Sequence, residues 1–339
     1  MITTADFSSL TGDLQSIYNE VSSTKLAQMI GPTFFNVSDT NRKTHEHLIL
    51  HGVAGIEDVS EGQDFPRVTT EQGDTITWTQ RHYGVTVPIT KDMRKFDLHN
   101  QINSVVRSIT EDSWDKIEQD YADTFLYGWD TSFTNVYGKS TASVGPDGAC
   151  LFSAAHSTPL NDTAFNNLIT GNPVLSRSAI VTTRKTALVH KDPNGHIKPI
   201  LLDTLVVAPS NEDLARRIVE SELISGSANN DMNPLKGSLK IVVWPYLEAR
   251  SDGTDTSAYW FMLSSGKVKE SLHSLFAERP SLDAPEVVYA NKNQLSRFLQ
   301  NLAICWKTLK LSITNYVKTW KMQQWAISSK DSLNGLAVC

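Results

Sequence analysis

Apolar residues at Phe7, Leu10, Leu14, Ile17, Tyr18 and Val21 recur at intervals of three and four, and Leu26 with Met29 extends the stripe. That spacing is one face of a helix. Gly31-Pro32 ends it, because proline disfavours helical geometry in the residue before it. The Phe34-Phe35 pair leads into Thr44 to Leu50, which reads as a strand. From Gly52 to Lys95 the helical period is gone. Thr75 to Thr79 alternates around Trp78, and Tyr83, Val85, Val87 and Ile89 repeat at period two, so this stretch predicts a long β-ribbon. A thin ribbon has no core of its own and buries apolar positions only against another element or another chain.

The helical period returns at Ile102, Val105, Val106, Ile109, Ile117, Tyr121 and Phe125, which predicts a helix over Gln101 to Tyr127. Its other face carries Glu111, Asp112, Asp115, Lys116, Glu118 and Asp120 and reads as solvated. Gly128 is its expected stop. Trp129 to Ser176 is rich in Ser, Thr, Asn, Gly and Pro and reads as irregular, with short strands. A helix is expected from Ser178, then a turn at Lys191 to His196. Asp203 to Ala208 reads as a buried strand closed by Pro209. Ser210 reads as the cap of a helix with Asp213 in the capping-box position, Leu214, Ile218 and Leu223 lining one face, and Gly226 at its end. Two further strands are expected at Leu239 to Trp244 and Ala258 to Leu263.

Composition narrows the function classes. The 339 residues carry 31 basic and 37 acidic side chains, a formal charge of −6, with 40% hydrophobic residues. That suits a globular chain of two or three domains. Three cysteines, Cys150, Cys305 and Cys339, are too few and too scattered for a disulfide framework or a thiolate metal site. No apolar run reaches the roughly 18 residues of a membrane span, and the N-terminal MITTADFSSL lacks the pattern of a secretory signal. The average hides two unlike pieces. Asn291 to Cys339 holds seven basic residues against one acid, Asp331, while the first 290 residues carry a formal −12.

Catalytic signatures fail on inspection. Gly138-Lys139-Ser140 resembles the end of a phosphate-binding loop, but Phe133 stands where that motif needs glycine. His45, His47 and His51 have no Cys or Asp at ligand spacing and read as strand histidines, so no metal site or cofactor is expected. His156 in FSAAHS suggests a Ser/His pair, yet sequence adjacency does not build a triad, and the segment reads as a structural loop. Trp78 and Tyr83 stand out instead: each either packs on its own subunit or anchors a partner.

The order of elements resembles the HK97-fold major capsid proteins of tailed phages, in particular the major head subunit of Mu-like phages. The residues that carry the resemblance are EGQDFP and TWTQRHYGVTVPITKDM within Gly52 to Lys95, the helix from Gln101, ACLFSAAHST followed by LNDTAFNNLITGNP, and LLDTLVVAPSNEDLARRIVES at Leu201 to Ser221. It covers roughly Met1 to Ala290. It implies an α+β chain with an N-arm region over 1–51 and an extended loop, the E-loop ribbon, over 52–95. A peripheral domain with a spine helix and a loop insertion would follow over 96–200, an axial domain over 201–250 and return strands over 251–290. The atypical basic tail over 291–339 departs from the Gly/aromatic-rich ending of the family, and is either a divergent extension or the product of a shifted reading frame.

The resemblance further implies a non-enzymatic subunit that self-assembles through pentamers and hexamers into an icosahedral virion shell. Such a shell is built in the bacterial cytoplasm around double-stranded DNA that is not read by sequence, with scaffold, portal and decoration proteins as further partners and no membrane. Phe7, Leu10, Leu14, Trp78, Tyr83, Val85 and Val87 are then the candidates for contact between subunits. Two alternatives stand beside this reading. One is an encapsulin-type compartment shell; the other is a soluble α+β enzyme with a loop-built site at His156, Asp192 and His196. Some relatives of the resembled family cross-link subunits through a lysine of the E-loop. Gly52 to Thr90 contains no lysine, so denaturing gels of purified particles should show monomer and no covalent ladder.

Overall fold

Helix α3 (Gln101–Leu126) occupies the span that its apolar stripe predicts and organises the rest of the chain. The computed structural model describes residues 4–50, 72–89, 101–145, 147–158, 161–169, 171–190, 197–224, 231–282, 286–288, 306–314, 316–320 and 326–329, with 58, 60–62 and 64 besides. The N-terminal half of α3 is amphipathic, with Ile102, Val106 and Trp114 inward and Glu111 and Asp112 in solvent. From Asp120 to Leu126 every residue is buried. A helix covered on all sides lies in the middle of a structure rather than on its surface.

Helix α1 (Thr4–Gln28) lies along α3. Leu14 is buried with Ile102 and Val106, Lys25 pairs with Asp115 at 2.7 Å, and the Trp114 indole donates to Ser22 Oγ at 3.1 Å. The resemblance implies an arm that reaches a neighbour; from Leu14 to Lys25 this helix lies along its own spine. After it, Pro32 sits in the first turn of a short helix α2 (Gly31–Phe34), where a missing N–H costs nothing. Its first amides meet Glu118. The carboxylate accepts from Ile30 N at 2.9 Å and Gly31 N at 3.0 Å. Glu118 and Asp120, expected on the solvated face, are therefore corrections: both are only 6% exposed. For Glu118 the reason is non-local, since the start of α2 needs an acceptor there.

The central sheet has the order β10 (Lys240–Val243), β9 (Thr204–Val207), β11 (Trp260–Leu263), β17 (Ala326–Ser329). β10 runs parallel to β9, and β11 antiparallel to both β9 and β17. Side chains alternate between two cores. Val206, Phe261 and Leu263 meet α3, Phe34, Phe35 and Trp244. Leu205, Val207, Trp260 and Met262 meet α4 (Arg177–Leu188) and α5 (Glu212–Val219). With both faces covered, β9 and β11 are apolar at nearly every position instead of alternating. Because Ala179, Ile180 and Ala187 share a cluster with Leu205 and Met262, α4 packs on the same face of the central sheet as α5.

The expected cap and apolar face of α5 are also corrected. Ser210 lies in a 3₁₀ turn, Pro209–Asn211, and its hydroxyl donates to Glu248. The helix buries Ala215 and Val219, and Ile218 of the expected face packs against the same cluster, whereas Leu214 and Leu223 are exposed and Leu223 lies beyond the helix end. Close approach to the sheet selects the small side chain at 215 over the larger one at 214. Gly226 and the Lys191–His196 turn lie outside the described residues.

The ribbon is built differently from its sequence pattern. β3 (Gln72–Thr79) pairs antiparallel with β2 (Thr44–Leu50), while β4 (His82–Ile89) pairs with β15 (Trp306–Thr314). The connector Gln80-Arg81 has none of the residues that a two-residue hairpin needs for positive φ, and Gln80 N instead bonds Lys43 O at 3.1 Å, extending the β2–β3 ladder. The tail supplies further partners. β16 (Tyr316–Trp320) joins β12 (Leu272–Phe276), which itself lies parallel to β1 (Asn36–Asp39), and β15 also pairs with β13 (Ser281–Leu282) and β14 (Glu286–Val288). Short hairpins β5–β6 (Ser132–Thr134, Ser140–Ala142) and β7–β8 (His156–Thr158, Asn161–Phe165) punctuate the irregular middle.

Burial pushes the Glu118 carboxyl above the usual carboxylate range, against the opposing pull of the amides of Ile30 and Gly31. The folded state thus holds this proton more tightly than the unfolded one, and its contribution falls as pH rises from the unfolded pKa through the folded one. Glu118→Ala should lower stability by about 1–3 kcal/mol for each stranded amide. Glu118→Gln keeps an acceptor, should cost less, and should flatten that part of the pH dependence; thermal unfolding between pH 4 and pH 8 measures both.

Candidate assembly surfaces

Tyr83 is the best-defined of the sequence-selected residues. β4 carries it beside the β5–β6 hairpin, where its ring stacks on Tyr137 with centroids 3.9 Å apart and planes 17° from parallel. Asn135 Nδ2 donates to its hydroxyl at 3.3 Å, and the Asn135 side-chain oxygen accepts from the amides of Tyr137 and Lys139. Two residues earlier, in the connector before β4, Arg81 reaches Thr141 Oγ1 at 3.2 Å. Burial raises the Tyr137 phenol well above the usual tyrosine range. Tyr83 is therefore an internal tie between β4 and the hairpin. Nothing local marks Tyr137 as its partner beyond an Asn-x-Tyr in an otherwise irregular region.

Two residues further along the strand the situation reverses. Val85 is 48% exposed and Val87 half-buried. Leu14 is buried in its own subunit. Trp78 stands opposite His45 in the β2–β3 register, and His47 opposite Ile76; the side chains of Trp78, Phe7 and Leu10 lie outside those described, as does His51. Of the seven selected residues, the structure brings Tyr83, Val85 and Val87 together on one strand, with Leu14 apart on α1.

The chemistry-bearing side chains serve as ties. His156 Nδ1 lies 2.8 Å from Asp147 Oδ2, with both side chains almost wholly buried, joining the 147 loop to β7. Asp192 and His196, proposed with His156 for a loop-built site, lie outside the described residues. At the end of the spine helix a cleft of about 580 Å³ opens between Tyr127, Phe133, Arg250 and Asp252. There the Arg250 guanidinium covers the Tyr127 ring at 4.5 Å, pairs with Asp130 at 3.0 Å and donates to Leu126 O at 2.7 Å. A cation bonded to the last carbonyls of a helix satisfies them and complements the helix dipole.

The layer of α4 and α5 is the surface that sequence reasoning missed. Exposed large apolar side chains gather around α4 and α5. The signal was present in Leu214 and Leu223, which spacing had placed with Ile218 on one face of the helix.

Tyr83→Ala should lower stability by about 1–2 kcal/mol through lost stacking and burial, while Val85→Asp, already exposed, should leave the melting temperature within a degree or two and act on assembly alone. Thermal unfolding of both variants separates the internal tie from the open position.

A family model described as phage capsid protein matches residues 73–294, more than half of the chain. Its end falls where the basic tail begins. Among solved structures, the mature capsid of bacteriophage PhiM1 superposes with a TM-score of 0.54 at 11% identity, over 91% of this chain and 88% of that one. Mycobacterium phage Patience gives 0.53 at 9% identity over 97% and 90%. The capsid of cyanophage P-SCSP1u gives 0.51 at 12% identity over 89% and 88%. Such low identities speak to the fold alone. No curated protein matches the sequence. Family match and fold agree with the absence of any recognisable catalytic motif in the sequence, and the chain belongs to the phage capsid protein family, as a major capsid subunit with an HK97-like α+β fold.

Proposed function

We propose that this subunit forms pentamers and hexamers that close into an icosahedral head around packaged double-stranded DNA, in a phage or prophage of the Mu-like group. The family match over residues 73–294 carries this reading. The Mu-like placement rests on the ACLFSAAHST and LLDTLVVAPSNEDLARRIVES segments. Shell assembly works through many modest interfaces that close by symmetry, each weak alone and strong in number. The subunit needs no cofactor and performs no reaction. Its site of action is the virion, reached from assembly in the host cytoplasm with scaffold and portal proteins as partners.

A body with a formal −12 supports a lumen that does not hold DNA by its phosphates, since phosphate-gripping surfaces carry a basic surplus. Val85 and Val87 on β4, and the β2–β3 ribbon, are the proposed contributions of the outer strands to contacts between subunits.

Sedimentation velocity of the expressed full-length chain, with negative-stain electron microscopy of its fast fraction, tests the reading. Megadalton closed particles or capsomer rings are expected. A stable 37.6 kDa monomer under all assembly conditions would overturn it. Particles that enclose an enzyme cargo in place of DNA would favour the encapsulin-type alternative.

A further inference from the structure

Two segments of the layer of α4 and α5 expose apolar side chains and carry opposite charge. Among the described residues, Val174, Val181, Leu188, Val189, Ile197 and Leu201 are each between 42% and 64% exposed. Val181, Lys185 and Leu188 form one outward stripe of α4, at i, i+4 and i+7, opposite the buried Ala179, Ile180, Thr183 and Ala187. Among the described residues between Val174 and Leu201 four basic residues, Arg177, Arg184, Lys185 and Lys198, stand with no acid. Among the described residues Arg177, Arg184 and Lys185 form no ion pair; Arg184 bonds Ser238 Oγ at 3.0 Å. This is a +4 island in the −12 body.

The second segment is its complement. Leu214, Leu223 and Met232 are 37%, 48% and 82% exposed. From Pro209 to Met232 five acids, Glu212, Asp213, Glu220, Glu222 and Asp231, outnumber Arg216 and Arg217, a formal −3. The two arginines are engaged within the helix, Arg216 with Glu212 at 2.9 Å and Glu220 at 3.0 Å, and Arg217 with Asp213. Both segments sit on the same face of the central sheet. α5 lies against β10, and the chain entering α4 is tied to β11 through the Trp260 indole, which donates to Pro173 O at 3.1 Å.

We propose that the basic α4 face of one subunit docks on the acidic α5 face of the next copy of this chain. Resting on the shell reading, this names the surfaces that join neighbours within a capsomer. Because the two faces differ, the contact is heterologous: each copy offers one face and receives the other, so repetition gives a ring when the rotation closes, as the shell reading requires, rather than an isologous pair. Apolar side chains interleaved with the charges would be desolvated at the centre of the contact, while the charges set partner choice and register. Double-stranded DNA is the rival occupant of the basic face. A phosphate lining, however, leaves Val181, Leu188 and Ile197 without cover, and leaves the matching acidic face unexplained.

Charge swapping in the full-length chain tests this contact. Lys185 and Lys198 are exposed, as are Asp213 and Glu222, which pair with Arg217 and Lys236; such surface pairs contribute little each, so reversing them should lower the melting temperature by no more than a few degrees and leave the fold intact. Lys185→Glu with Lys198→Glu, and separately Asp213→Lys with Glu222→Lys, should each reduce the assembled fraction at least tenfold at low salt. The quadruple variant should recover most of it. Wild-type-level assembly in either double variant, or no recovery in the quadruple variant, would overturn the contact while leaving the shell reading in place. So would loss of binding to a double-stranded oligonucleotide in the Lys185→Glu, Lys198→Glu variant with its assembly intact, which would mark the face as a DNA lining. A wild-type chain that never assembles removes the shell reading and this contact together.

Discussion

The fold depends on an aromatic seam where the last turns of the spine helix meet the central sheet. Phe125 is its hub, with ring centroids 6.3 Å from Phe34, 6.3 Å from Phe35, 5.7 Å from Trp244 and 5.4 Å from Phe261. Phe261 passes the contact on to Phe152 at 5.5 Å, and Phe152 to Trp129 at 4.9 Å. The helix, the chain before β1, the strand β11 and the irregular middle therefore meet at one set of rings. Edge-to-face pairs of this kind add about 0.5–1.5 kcal/mol each beyond the area they bury. They also have directional preferences, which fix α3 against the sheet. A shell subunit needs that rigidity, since small rotations between its layers would be multiplied around every symmetry axis.

Local pattern carried the central elements. The stripe from Ile102 to Phe125 has a helical period over seven turns, and Leu205 to Ala208 is too apolar and too short for anything but a buried strand, so both were legible without partners. What stayed hidden was decided by residues far away in sequence. Glu118 is buried because amides 87 and 88 positions earlier need its oxygens. β3 and β4, adjacent in sequence, part company because β2 and β15 provide their edges. At α5, spacing grouped Leu214 with Ile218 and Leu223 on one face, whereas packing on the sheet buries Ala215 and Val219, with Ile218 beside them and Leu214 exposed. The surfaces were the least legible part, since an exposed valine looks like a core valine until its neighbours are known.

The charge split between body and tail takes on structural meaning in the sheets. Strands β15, β16 and β17 place the basic tail against β4, β12 and β11, so residues beyond the family match contribute edges to sheets that the match begins. Covering an edge removes a row of unpaired N–H and C=O groups that would otherwise recruit another chain. Among the described residues, the exposed large apolar side chains concentrate around helices α4 and α5. That division suits a protein whose task is to meet copies of itself at defined surfaces.

Cryo-electron microscopy of the purified assembled particles tests the central claim most directly. The account predicts an icosahedral shell whose subunit density shows residues 101–126 as one continuous helix packed on the sheet of residues 204–263, with the aromatic seam inside a single subunit. Density that breaks this helix, places the seam between subunits, or belongs to an open or non-icosahedral oligomer would contradict it.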